Sequence, residues 1–207
     1  MPRLIRFFLF VLLLPFWGLS QLGPLNNFPA SPVIIDFSSP GSQTWVCPAN
    51  VSQITVQCWG GGGGGGNSAN NFVNGGSGGG GGVYAKKNTI YVWAGTTYYL
   101  NVGGGGNGAP GSSQNNALSG GDSWFNSANS APTTNLFCKA RGGGAGFNNN
   151  SFFPNNGGQI TNSFGDTIRA GGSGFQGNVN GGGGGGSSAG LYQNGINSIN
   201  INGATAP

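Results

Sequence analysis

An all-β fold is predicted for this 207-residue chain by three observations. Short segments rich in β-branched and aromatic residues alternate apolar with polar side chains, the period-2 signature of a half-buried strand. Glycine supplies 46 residues, many of them in runs that abut those segments. No stretch keeps a helical period, Glu is absent, and each glycine costs a helix interior about 1 kcal/mol. No α-helix is therefore expected in the mature chain.

The strand candidates follow in order. VIIDF at 33–37 is the first and ends in a Pro40-Gly41 turn. TWVC at 44–47 is the second, closed by Pro48, Ala49 and Asn50. Ile54, Val56 and Cys58 then alternate with Thr55, Gln57 and Trp59. Tyr84, residues 89–93 and residues 97–102 read as further strands, with an Ala94-Gly95 turn before the last. Residues 136–141 and 167–170 are two more, and Ile196, Ile199 and Ile201 carry a weak strand pattern.

Glycine runs stand between these segments at 60–66, 75–82 (broken by Ser77), 103–106, 142–144 and 181–186. A flexible linker is the plain reading of such composition. Two features weigh against it: the runs adjoin strands rather than separate domains, and they recur with Asn/Ser loops between them. A backbone without Cβ atoms can take the extended three-residue-per-turn form related to polyproline II. Glycine keeps the N–H that proline lacks, so neighbouring runs can hydrogen-bond side by side. A bundle of polyglycine II helices is the expectation.

The N-terminus has the layout of a secretory signal peptide. Arg3 and Arg6 give a basic start, residues 7–17 are almost wholly apolar, and Gly18 and Ser20 place small residues before Gln21. The apolar run is shorter than the ~20 residues that span a bilayer, and Pro15 interrupts it. The reading is a signal peptide over 1–20, a Pro/Asn-rich leader over 21–32, and one glycine-rich domain over 33–207. The mature chain is expected outside the cell or at its surface, with no membrane insertion after cleavage. Removal of Arg3 and Arg6 leaves five basic against three acidic residues. That balance offers no basic stripe for nucleic acid.

Catalytic chemistry is poorly supplied. His and Glu are absent, and the acids Asp36, Asp122 and Asp166 are scattered, as turn residues often are. A paired-carboxylate mechanism would need the fold to bring two of them together. No Gly-Lys-Ser/Thr follows a glycine run, and no Cys/His spacing fits zinc. The chain is read as a non-enzyme without catalytic residues, metal or cofactor. Cys47, Cys58 and Cys138 are an odd number in an oxidising compartment, so at least one thiol stands outside any internal pair. Extended strands hold Cys47 and Cys58 too far apart to bond. Cys58 shares the inward phase of Ile54 and Val56, and Cys138 lies on another strand that feeds a glycine run. The possible disulfide is Cys58–Cys138, with Cys47 free and buried.

The order of motifs resembles a known family. TWVCPA at 44–49, an alternating strand ending in W-G-G-G-G-G-G-G at 59–66, GGVYA at 81–85 and GTTYYLNVGGGG at 95–106 carry the resemblance. GGDSWF at 120–125 and ARGGG at 140–144 extend it. The stretch 33–190 is similar to the glycine-rich domain of bacterial secreted and surface proteins, with related modules in phage tail-fibre adhesins and in the anaplastic lymphoma kinase receptor ectodomain. The resemblance implies a jelly-roll-like β-sandwich supporting the polyglycine bundle, and a role in recognition or scaffolding. Cys47 stands where a valine is usual. The segment after Gly190 is short for the family, which leaves open missing final strands or a need for a partner. The signal peptide favours a cellular surface protein over a phage one.

Aromatic residues divide into two sets. Trp45, Trp59, Trp93, Tyr84, Tyr91, Tyr98 and Tyr99 lie in or beside strands and read as sandwich core. Phe72, Phe147, Phe152, Phe153 and Phe175 lie in Asn-rich loops, either plugging the bundle ends or forming a binding tip. The candidate ligand-binding loop is Phe147, Asn149, Phe152, Phe153 and Asn155, with Lys139 and Arg141 lending weak positive charge toward an acidic surface polymer. Two functions follow: an adhesive or recognition module for a surface glycan or cell-surface polymer, or a structural protein that self-associates into a coat or filament. Ice binding is a weaker third, because it requires flatter and more regular faces.

Overall fold

The computed structural model describes residues 32–67, 75–110, 117–147, 157–177 and 182–207, together with the backbone of 5–9. Among these residues there is no helix, and nine strands form two antiparallel sheets. The chain is all-β, as its alternation predicts.

The strands are β1 (Ile5–Leu9), β2 (Val33–Phe37), β3 (Gly41–Val46), β4 (Gln53–Trp59), β5 (Tyr84–Tyr91), β6 (Thr97–Val102), β7 (Ser123–Asn126), β8 (Cys138–Ala140) and β9 (Thr167–Arg169). One sheet has the order β2-β1-β4-β5-β9 and the other β3-β6-β7-β8. Gly41 starts β3 and Gly95 follows Ala94 in the β5–β6 turn, with φ of 118° and 75°, a region costly for residues with a Cβ. Two strands went unread in the sequence. The five residues of β1 fall inside the segment 1–20 that reads as an export signal, and pair antiparallel with β2 (Phe7 opposite Ile35) and with β4 (Phe7 opposite Val56). The β7 strand is short and flanked by polar residues, which hides its period.

The core lies between the sheets. Ile54, Val56 and Cys58 of β4 and Ala85 and Ile90 of β5 face Tyr98, Leu100 and Val102 of β6, Phe125 of β7, and Cys138 and Ala140 of β8. The rings of Tyr98 and Phe125 stack with centroids 5.4 Å apart. Trp45 leans on both. Tyr91 and Trp93 depart from their expected place in the core: they are 70% and 71% exposed. Ile90 and Val92 take the inward phase, so their neighbours at 91 and 93 point to solvent. The residues 196–201 form no strand either. They bond to glycine segments instead, the Ile196 carbonyl accepting from the Ser187 amide and the Asn200 carbonyl from the Gly184 amide.

The glycine segments stack beside the sandwich as an ordered array. The amides of Gly60, Gly63 and Gly66 donate to the carbonyls of Val83, Gly80 and Ser77 at 2.8–2.9 Å. The amides of Gly61 and Gly64 donate to Gly121 and Leu118. On its other sides the same run accepts from Gly143 and Gly146, and from Gly106 and Ala109. Every neighbour is reached at a spacing of three residues. A flat strand returns to the same side every two residues, so these segments are not a β-sheet. Segment 75–83 repeats the pattern, with Gly78 and Gly81 donating to Phe175 and Gly172.

Candidate functional site

Most of the described residues that flank the Asn/Ser-rich segments gather at one end of the glycine array; Gly157 and Gly158, which follow the candidate loop, lie instead at the sandwich end, packed on Gly171 and bonded to Gly81. Gly66 donates to Ser77, and Ser77 donates to the Phe147 carbonyl through both its amide (3.0 Å) and its hydroxyl (3.3 Å). The Phe147 amide returns a bond to the Ser77 hydroxyl at 2.8 Å. Asn67 donates its side-chain amide to the Pro110 carbonyl at 2.9 Å. Gly183 donates to Gly76, and Gly177 packs directly on Gly75. Residues 67, 75, 110, 147, 177 and 183 therefore bound a common face, the end away from the sandwich.

Phe147 sits on that face with its side chain 42% exposed and its backbone locked by Ser77. The other residues of the candidate loop, Asn149, Phe152, Phe153 and Asn155, lie outside the described residues. Lys139, expected to lend positive charge to that loop, is paired within the fold. Its ammonium lies 3.0 Å from the Asp122 carboxylate, so its charge is spent inside the fold. Asp122 also accepts the Gly142 amide at 3.0 Å and so ties the base of a glycine segment to β8. Arg141 directs its guanidinium to the Thr161 carbonyl.

A second ion pair holds the sheet edge. Lys87 and the Asn88 amide both bond to Asp166, at 2.6 and 2.8 Å. Burial by itself would raise the Asp166 carboxyl, but the Lys87 hydrogen bond, the Asn88 amide and the Lys87 charge together bring it below its usual range. Asp122 and Asp166 thus each neutralise a lysine and fasten backbone, roles that fit architecture.

The cysteines are three buried free thiols. Cys58 of β4 and Cys138 of β8 meet across the sandwich, close enough for a hydrogen bond between their side chains. That bond, with burial behind it, raises the Cys58 thiol well above its usual range. Cys138 also points at the Ala85 carbonyl, 3.5 Å away. Cys47 stands apart, its thiol on the Val51 carbonyl at 3.3 Å. Nearby, burial pushes the Tyr84 phenol up to about 12, and its hydroxyl meets the Gln57 side-chain oxygen at 3.0 Å.

Among the described residues no three Cys, Asp or Glu side chains come together as a metal would require. No helix among them is long and apolar enough to cross a membrane. Comparison with known families finds a match to the family model described as a glycine-rich domain, over residues 38–206. No curated protein matches the chain.

Proposed function

We infer, since the chain belongs to the glycine-rich domain family, that it is an exported, non-enzymatic surface module whose bundle of polyglycine II helices displays recognition loops. The single observation behind this reading is the convergence of six segment ends, at residues 67, 75, 110, 147, 177 and 183, on one face of a hydrogen-bonded glycine array. A rigid scaffold fixes where its loops point, and binding residues concentrate on such loops. The three-residue spacing of the lateral bonds favours the polyglycine II form, and the two antiparallel sheets are compatible with a jelly-roll-like sandwich. The signal-like N-terminus favours a place outside the cell. The ligand class is a surface glycan or cell-surface polymer, met by aromatic faces and Asn side chains.

The deciding experiment replaces Phe152 and Phe153 with serine in the exported protein. Lost binding to cells or immobilised glycans at unchanged melting temperature supports recognition. A matched fall in melting temperature, with binding per folded molecule unchanged, makes these rings caps of the bundle and removes the loop from the reading.

Self-assembly into a coat or filament is the second reading. It is favoured by the edge of β4 that pairs with β1, because removal of residues 1–20 would leave that edge with unpaired backbone. Light scattering on the purified mature chain separates the two: a monomer supports the binder, an open-ended size distribution the filament.

A further inference from the structure

We propose that the recess between the end of β4 and the C-terminal segments is a subsite for an uncharged sugar ring. The recess holds about 550 Å³ and is walled by Trp59, by residues 186–191, and by Ala204, Ala206 and Pro207. That volume is within the range of small-molecule pockets. The proposal rests on the recognition reading above and places a contact away from the Phe147 end of the array.

The chemistry of the lining selects the ligand. No charged side chain lines the recess. Arg169, on the neighbouring β9, directs its Nε–H to the Leu191 carbonyl at 3.1 Å and is not part of the wall. An ionic ligand would find no side-chain counter-charge there. Apart from Leu191 the remaining wall is made of small residues and Pro207, and the Trp59 indole is the one aromatic ring in the lining. Its orientation is fixed from beneath by Tyr84, with ring centroids 4.9 Å apart. Tyr84 is itself buried and bonded to Gln57. A ring held this way loses little freedom when a ligand stacks on it.

Two side-chain polar groups of the lining make no hydrogen bond among the described residues: the Trp59 indole N–H and the Ser188 hydroxyl. A pyranose offers a C–H face to an aromatic ring and hydroxyls around its rim that both donate and accept. An extended peptide is less suited. The amides of Gly186, Ser187, Ala189 and Gly190 already donate to Gly79, Ile196, Gly82 and Gln193. The wall therefore offers few backbone donors for strand addition.

The test titrates the exported protein with maltotriose, cellotriose and chitotriose, followed by tryptophan fluorescence and calorimetry. At least one should bind with a Kd of about 1 mM or tighter. Trp59→Ala should weaken that binding at least about tenfold. Trp59 also packs on Tyr84, so Ala206→Trp serves as the second variant. Ala206 is exposed, and a tryptophan there blocks the recess without cutting the core; it should weaken binding as much at an unchanged melting temperature. Absence of binding to all three sugars at about 10 mM overturns the proposal, as does binding that survives Ala206→Trp, or tighter capture of a proline-rich or aromatic peptide at the same recess. If attachment to cells is lost with Phe152→Ser and Phe153→Ser but not with Ala206→Trp, the recognition reading stands and this subsite falls.

Discussion

Gly63 packs so closely on Gly144 that a Cβ at position 63 would overlap the Gly144 carbonyl oxygen. Two residues further along the same run, a Cβ at Gly65 would meet nothing nearer than the Ser77 carbonyl oxygen at 3.9 Å. One run thus contains a position that excludes every side chain and a position that admits a methyl group.

Gly63→Val is expected to destabilise the fold by about 3 kcal/mol or more, at or above the upper end of overpacking costs. Gly63→Ala should also fall well below the parent protein in thermal unfolding. Gly65→Ala should melt at or slightly above the parent temperature, because it restricts the unfolded chain at a compatible site. Equal melting of all these variants would mean the run is a linker.

The pair Lys87–Asp166 makes a pH prediction. The carboxyl is lowered in the folded state, so its stabilisation is present above the unfolded value of about 3.9 and is lost as pH falls through the folded value. Asp166 is about a third exposed, at 35%, so screening keeps the term small, at roughly 0.5–1 kcal/mol. Asp166→Asn should melt below the parent at pH 7 and coincide with it at about pH 2. A constant gap across that range would assign the loss to packing.

The sandwich strands were legible because Ile54, Val56 and Cys58 alternate with polar residues and Thr97–Val102 is bounded by a turn and a glycine run. The array was legible from composition, but its neighbours were not. Nothing in a run of identical residues says that Gly61 bonds to Gly121 while Gly63 bonds to Gly80. Trp93 reads as core in the sequence and is exposed in the fold, because strand-edge aromatics look the same in either phase. Lys139 was assigned to the binding face because its partner Asp122, on a different segment, is invisible in the local sequence. The Trp59 recess had no sequence signal, since its walls come from glycine, alanine and serine far along the chain.

Export with cleavage between Ser20 and Gln21 would remove β1, and β1 is the strand neighbour that joins β2 to β4. The exported chain should start at Gln21 by N-terminal sequencing. Its β2 amides at 33–37 should exchange with solvent faster than those of β6, whose both edges are paired. Exported material that retains residues 1–20 would identify β1 as a permanent strand and remove the signal reading.

The last prediction concerns Cys58 and Cys138, which the fold brings together from opposite sheets. While reduced, the Cys58 thiol is held protonated by its neighbour and by burial, and a protonated buried thiol is a poor nucleophile. Reduced, folded protein should therefore resist alkylation at all three cysteines and react only on unfolding. In an oxidising compartment a thiol–disulfide exchange partner can take the two electrons and two protons as the sulfurs join. The exported protein should then carry Cys58–Cys138 with Cys47 free. The bond would close a loop that contains three glycine runs and staple the two sheets, adding about 2–4 kcal/mol. Non-reducing peptide mapping checks the pairing, and melting with and without reductant checks the magnitude. A bridge at Cys47 would overturn the assignment, because its thiol already lies on the Val51 carbonyl at the far end of β3, away from both partners.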